Sequence, residues 1–341
     1  MIDLSKLQYK LLIMTENGVQ YNVKDFTDKL LWEENEKELS MRITFNLYNK
    51  KTDAGYLSDL AKLGCLAGIY VSDGTDDVEV ARGYIRENSY SNSSDEEGFS
   101  CTAYDELYSL QKSQDNIYIP AGQTTKGALE QVLSPWGITL AQYDGPEAVH
   151  EKFAERNKSI SDMITDILDD AEKKGQKKCI LRAERGNIKI LPVCENETVY
   201  VFNENNGVRL SHKRSIANMV TRVKILGMQD DEGRSPVEAV VDGDTRFGII
   251  QKIISRDRDK SVEDAKQTAQ EMIDKDGKVD EQVTLDLPDV PFIRKGDRIY
   301  VQNMGTVDGY QRVLSIQHNA DSGTMNVTVE KVVQENVENG I

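Results

Sequence analysis

Leu39-Ser40-Met41-Arg42-Ile43-Thr44-Phe45-Asn46-Leu47-Tyr48 alternates without a break from Met41 onward: Met41, Ile43, Phe45 and Leu47 are apolar, and the residues between them carry polar groups. A period of two puts one set on each face of an extended chain, so the stretch predicts a half-buried strand. Its surroundings read the same way. Residues 9–14 and 19–23 are apolar runs joined by Glu16-Asn17-Gly18, and Asn-Gly between such runs signals a hairpin. Residues 65–72, 78–90 and 98–104 continue as strands, with a short helix at 54–63 and a polar hairpin tip at 91–97.

The same pattern returns near the other end. Thr44-Phe45-Asn46-Leu47 matches Thr284-Leu285-Asp286-Leu287, and Ile69-Tyr70-Val71 matches Ile299-Tyr300-Val301. Gly83-Tyr84 matches Gly309-Tyr310, and residues 96–105 lie on 321–330 without a gap. Four short matches in one order point to an internal duplication. Each copy has the strand number of a small closed or half-open barrel. Three chains with two such units each make a ring of six similar units, which adapts a sixfold partner to a threefold one.

Between the copies the periodicity changes. Residues 124–134 read as a helix capped by Thr124 or Thr125 and stopped at Pro135. Residues 159–174 carry Ile160, Met163, Ile164, Ile167 and Leu168 on one helical face, and Gly175 ends that helix. A hairpin over 179–183 and 188–193 turns at Glu184-Arg185-Gly186-Asn187, and 199–203 adds a strand. Later, 219–226 and 237–241 are strands and 261–273 is a helix with acidic residues in its first turn. Strands follow at 282–287, 297–302, 310–318 and 324–333. The fold class expected is α+β, mainly β. Two similar small β-barrel domains, 1–112 and 209–334, flank a middle α/β domain at 113–208; the helix 261–273 is inserted in the second barrel and 335–341 is a polar tail.

The 341 residues carry a formal net charge of -16, which argues against a phosphate-backbone partner. No apolar run of about 18 residues exists for membrane insertion, and the first residues lack the blocks of a signal peptide, so synthesis in the cytoplasm is expected. Cys65, Cys101, Cys179 and Cys194 form no C-x-x-C pair and read as core thiols of a reducing compartment.

His150-Glu151 lacks the second histidine of a zinc helix, His212 lies in a polar loop, and His318 ends a strand as a structural residue. No Ser-His-Asp or Cys-His pair can be argued from spacing. Residues 274–281 resemble a calcium loop only until Lys278 and Val279, where the ligand and glycine belong. No phosphate loop is present, and the carboxylates are too abundant for a glycosidase pair to mean anything. Trp32, Trp136 and the fourteen tyrosines fit cores and subunit contacts better than sugar stacking. No catalytic residue, cofactor or metal is expected, and Gly248, Gly296 and Gly309 are expected to shape turns.

Two stretches then carry a likeness. Arg246-Phe247-Gly248-Ile249-Ile250, the charged loop 255–260, and Ala265 and Ala269 in a helix form the first. Lys295-Gly296-Asp297-Arg298-Ile299-Tyr300-Val301, followed by Gly309-Tyr310-Gln311-Arg312-Val313 and the strand through His318, forms the second. Together they resemble phage late-control D and XkdQ-type tail proteins. That resemblance implies a homotrimeric baseplate hub, a pseudo-sixfold ring of two barrels per chain that joins the tail tube to the central spike among other baseplate proteins. It implies a place in a virion tail or phage-tail-like particle assembled in the bacterial cytoplasm, with the spike a separate protein. The rival readings are a tail-associated peptidoglycan hydrolase and a carbohydrate-binding adhesion module.

Overall fold

The computed structural model of the protein describes residues 6–52, 55–92, 97–205, 207, 209–230, 232–258 and 260–332. The expected hairpin tip at 91–97 lies mostly outside these residues, and the polar tail lies wholly outside them. The chain divides into two compact units: residues up to Leu210 together with those from Thr284 onward, and Ser211–Val283.

In the first unit the chain runs through β1 (Gln8–Met14), β2 (Gln20–Asn22), β3 (Thr27–Glu34) and β4 (Arg42–Tyr48). A two-residue pair, β5 (Lys51–Thr52) and β6 (Gly55–Tyr56), leads to α1 (Leu57–Leu60). Then come β7 (Leu66–Ser72), β8 (Asp77–Asn92), β9 (Glu97–Tyr104) and α2 (Tyr108–Lys112). The middle stretch holds β10 (Gln114–Ile119), α3 (Thr125–Leu133), β11 (Leu140–Tyr143), β12 (Phe153–Ser159) and α4 (Ile160–Lys173). It closes with β13 (Cys179–Glu184), β14 (Asn187–Pro192) and β15 (Val201–Asn203). The second unit takes most of β16 (Arg209–Ser215), then β17 (Arg222–Leu226), β18 (Val237–Asp242), β19 (Gln251–Ser255), α5 (Val262–Asp276) and the start of β20 (Asp280–Pro288). The first unit resumes with β21 (Arg298–Met304), β22 (Val307–Asn319) and β23 (Thr324–Lys331).

The alternation over 41–48 is seen in β4, where Ile43, Phe45 and Leu47 are fully buried. Local chemistry also sets the helices. The Thr124 hydroxyl accepts from the Gly127 N–H at the start of α3, and Ser159 accepts from the Asp162 N–H at the start of α4. Ser261 and Asp264 cap each other's backbone at α5. Arg185 and Gly186, both at positive φ, make the tight turn between β13 and β14.

The main sheet runs β20-β23-β22-β3-β4-β9-β8-β7-β1-β2, with β16 beside β20 and β21 beside β22. The mainly β class is seen, and of the closed or half-open barrels expected no closed one is found: among the described strands the ladders form one open path. The cause is β22, thirteen residues long. Its first part pairs with β21, and its last four residues, Ile316–Asn319, pair with Leu31–Glu34 of β3 while β23 holds the other edge. A strand shared in this way joins two sheets into one.

The duplication reappears in the wiring. β4-β9-β8-β7 recurs as β20-β23-β22-β21, antiparallel wherever the register is resolved. The β7–β8 ladder ends at Leu66↔Tyr84 and β21–β22 ends at Arg298↔Arg312. One step later each copy has a bulge against its next strand, between Ile85 and Glu87 in β8 and between Val313 and Ser315 in β22. Ile85 therefore corresponds to Val313. Gly309 then falls at the place of Ala81, not Gly83, and Val329 at the place of Ala103, not Tyr104. The residue matches had the right order and the wrong register, because a bulge adds a residue that sequence matching cannot see.

In the second unit, α5 packs Ala265, Ala269 and Ile273 on Val223 and Ile225 of a three-stranded sheet ordered β18-β17-β19. Ser211–Val283 is compact by itself and keeps this core of its own.

Candidate functional site

A buried, charged cluster of the first unit is built where β3, the β13–β14 hairpin and the loop before β21 meet. Glu34 ends β3. Its carboxylate accepts from Arg294 Nε at 2.6 Å and Nη2 at 3.0 Å, and from the Lys295 N–H at 3.1 Å. Arg294 also donates to the Ala183 carbonyl at 3.3 Å, and its backbone N–H to Asp297 at 2.9 Å. Arg182 of β13 bonds Asp297 at 2.8 Å and the Lys295 carbonyl. Lys295 Nζ donates to the Asn35 and Glu38 carbonyls at 3.1 and 2.6 Å. Burial alone would raise the Glu34 carboxyl, but the Arg294 guanidinium, helped by Arg182 and Lys295, holds it at about 2. Burial lowers the Lys295 ammonium. Beside them Asp105, fully enclosed, is pushed up to about 7 by burial against the bonds it accepts from Met41, Ser40 and Leu107.

A cleft of about 490 Å³ opens over this cluster, lined among others by Arg82, Asp105, Glu106, Arg182, Glu184 and Arg294. Several of its charges are paired: Arg82 with Glu79 at 2.7 Å, Lys189 with Glu184 at 2.7 Å and Arg294 with Glu34, while Glu106 Oε2 and Arg182 Nε are buried with no hydrogen-bond partner among the described residues. Such a network fastens three segments of chain. The sequence predicts a turn at Gly296-Asp297 and places Lys295 in the family likeness, with no role for Arg294. The signal was two adjacent cations between apolar Phe292-Ile293 and a strand.

The structure does bring together a hydroxyl, an imidazole and a carboxylate that spacing could not reveal. His150 Nε2 lies 2.8 Å from Thr125 Oγ1, and its Nδ1 lies 2.6 Å from Asp170. The order is that of an acyl-transfer triad. Its surroundings are those of a core: Thr125 is fully buried, His150 is 2% exposed, and Lys174 also donates to Asp170 at 2.5 Å. Neither described cleft is lined by Thr125. Here the trio pins the 148–150 segment to the start of α3 and the last turn of α4. Thr125→Val, which keeps the shape and removes the hydroxyl, is expected to lower unfolding stability by about 1–2 kcal/mol and leave peptidoglycan turbidity unchanged. Clearing of peptidoglycan by the native chain that Thr125→Val abolishes would sink this reading.

His318, expected to be structural, sits at the centre of another buried set. It stacks on Trp32 with ring centroids 4.5 Å apart and an interplanar angle of 7°. Its Nδ1 is 2.6 Å from Asp289, its Nε2 is 3.1 Å from the Ile293 carbonyl, and Tyr9 donates to the same Asp289. Burial, then Asp289, raises the Tyr9 phenol. Strands β1 and β3 of the first copy are thus held to β22 of the second. His212 stands 3.6 Å from Glu281 in the second unit. Among the described residues no three His, Cys, Asp or Glu converge as metal ligands, and no helix is long and apolar enough to cross a membrane.

Against known proteins, the YQBQ-like family profile matches residues 30–330, most of the chain and both copies. The chain belongs to the YQBQ-like family. None of the curated proteins matches it. Solved structures share the fold of this YQBQ-like chain. A tail protein from Neisseria meningitidis superposes with a TM-score of 0.65 at 13% identity, over 95% of this chain and 96% of that one. A 43 kDa tail protein of prophage MuSo2 from Shewanella oneidensis gives 0.64 at 14%, over 94% and 98%. A prophage tail protein, gp18, from Listeria monocytogenes gives 0.53 at 13%, over 97% and 95%.

The three singled-out glycines of the YQBQ-like chain have different settings. Gly248, at φ +102, donates its N–H to the Thr245 carbonyl and has open space around it. Gly309, at φ +94, lies inside β22 opposite Val301, while Gly305 at φ +59 sits at the hairpin tip. Gly296 combines φ +89 with a close approach. A Cβ there would stand 2.5 Å from Ile180 Cδ1, the tip of a side chain that can turn aside, so it is the backbone conformation that favours glycine beside the charged cluster.

Proposed function

We propose that this chain is a structural baseplate hub, of late-control D or XkdQ type, in a contractile phage tail or a phage-tail-like bacteriocin particle. Three chains form a pseudo-sixfold ring that joins the tail tube to the central spike, with no catalytic residue or cofactor involved. The observation that carries this is the recurrence of β4-β9-β8-β7 as β20-β23-β22-β21 in one chain. A twofold internal repeat is what allows three copies to present six similar units. The shared fold with phage and prophage tail proteins supports a place in the tail baseplate.

The charge fits a passage for DNA or tube contents better than a DNA-binding role. At -16, a bore lined by the acids would repel a polyanion and keep it moving. The hub would be assembled in the bacterial host cytoplasm, without membrane insertion.

Mass measurement of the full chain, alone and with the neighbouring spike protein, tests the reading. A mass of three chains in either condition is expected, since a ring of marginal affinity closes when its partner binds. A chain that stays monomeric in both, up to the concentrations found in assembling particles, overturns it.

A further inference from the structure

The cleft over the Glu34 cluster keeps charge that the fold does not use. Its volume of about 490 Å³ falls within the range of about 300–1,000 Å³ usual for ligand sites, and all of its lining belongs to the first unit. Among the charged side chains around it, Arg82, Lys189, Arg294 and Arg182 each bond a carboxylate of the chain at between 2.6 and 2.8 Å. Asp105 accepts from Ser40 Oγ and from the backbone N–H groups of Met41 and Leu107. Two charges are left over. Glu106 feels Arg82, whose guanidinium is bonded to Glu79, but makes no hydrogen bond or salt bridge of its own among the described residues, and its Oε2 is buried. Arg185, exposed in the turn between β13 and β14, likewise has no carboxylate partner among them. The two sit at one place: a Cβ on Gly186, next to Arg185, would stand 3.5 Å from Glu106 Oε1.

An enclosed carboxylate oxygen without a donor is costly, and a cation brought to it removes the cost. Arg182 Nε, in the same lining, is buried without an acceptor. The three are satisfied together by a cation for Glu106, a carbonyl for Arg182 and a carboxylate for Arg185. A free α-amino acid has no main-chain amide carbonyl to offer between its charges. A peptide has one at every residue, and its side chains carry both signs. Phe292, also in the lining, gives the aliphatic stem of a lysine or arginine an apolar surface to lie on. The feature is not a by-product of the repeat. Counting on from the shared bulge, Lys331 and Val332 stand in the second copy where the first has Asp105 and Glu106, so this chemistry occurs once in the two copies.

We propose that the cleft between β8, the residues after β9 and the β13–β14 hairpin binds an extended peptide segment of a partner protein, with a lysine or arginine of the segment on Glu106 and an aspartate or glutamate of it on Arg185. One segment binds per chain, whatever the number of chains in the assembly. Because Arg185 is exposed, its half of the contact weakens as salt rises, while the half at the buried Glu106 oxygen is screened less.

The test titrates the full-length chain into fluorescently labelled peptides with blocked termini and reads their anisotropy. Each peptide carries one lysine and one glutamate, separated by zero to three glycines. At least one is expected to bind with a dissociation constant below about 1 mM. Glu106→Gln and Arg185→Gln are each expected to weaken it about tenfold, with urea midpoints close to that of the native chain. The assignment of charges is read from a double-variant cycle. With the peptide lysine exchanged for glutamine, binding to the native chain falls about tenfold and Glu106→Gln weakens it no further; with the peptide glutamate exchanged for glutamine, the same holds for Arg185→Gln. Failure of every peptide to bind the native chain below about 1 mM overturns the proposal. Binding that neither variant weakens overturns it too, since the peptide then sits elsewhere on the chain. An equal loss in Glu106→Gln with the lysine peptide and with its glutamine counterpart overturns the placing of the cation on Glu106. None of these results depends on the mass of the assembly, so the ring reading and this site stand or fall separately.

Discussion

Arg294→Met is expected to lower unfolding stability by about 3–5 kcal/mol, because it leaves the Glu34 carboxylate buried without its guanidinium. Glu34 is 6% exposed and Arg294 9%, so water cannot replace the lost partner. The remaining donor to Glu34 is the Lys295 N–H, while the Lys295 ammonium is committed to two carbonyls. The double variant Glu34→Leu/Arg294→Met removes both charges and is expected to recover most of the loss, since a packed apolar pair often matches a buried ion pair. Urea midpoints of the native chain, both single variants and the double variant check this. A double variant as unstable as Arg294→Met would mean that Arg294 acts through something other than its pairing with Glu34.

The second large effect is on pH dependence, and it involves two carboxylates with opposite signs. Glu34 is held at about 2 in the folded chain against an ordinary 4.5. Its contribution, about 3 kcal/mol, is present above pH 4.5 and is lost as pH falls towards 2. Asp105 is pushed the other way, to about 7 against 3.8. The folded chain prefers its protonated form, so stability is greatest below 3.8 for this group and is lost, by up to about 4 kcal/mol, as pH rises through 7. Together they predict a maximum on the acid side of neutrality. Asp105→Asn, which cannot ionise, should flatten the decline between pH 4.5 and 8 and leave the acid limb unchanged. Parallel curves for Asp105→Asn and the native chain across that range would show that Asp105 is not the group responsible.

Much of the fold was legible where one local rule acted alone. The period-two run at β4, the turn at Arg185-Gly186 and the capped helices α3, α4 and α5 needed no tertiary information. β3 was missed because Thr27–Glu34 packs polar Thr27 and Glu34 on its buried side, which breaks the hydrophobic alternation. The pairing of β10 with β12 was missed because both are largely exposed and their register shifts after Asp115. The repeat was visible as an order of strands and misread in register, since the bulges at Arg86 and Leu314 leave no mark in composition. The buried network at Glu34 was invisible for a plainer reason. Its members come from three distant stretches, and a glutamate at a strand end looks solvated until Arg294 is placed against it.

Because β22 answers to both halves of the main sheet, the chain has few places where its gene can be cut and rejoined. A crossover between the copies would strand Ile316–Asn319 without β3, or β3 without them, and expose four residues of edge on each product. Homologous exchange between the repeats is thereby penalised, and the two halves are free to diverge in sequence while staying together. Ser211–Val283 stands under a different rule. It keeps its own small core on a continuous stretch, so variation in length and surface can accumulate there while the shared strand continues to bind the rest.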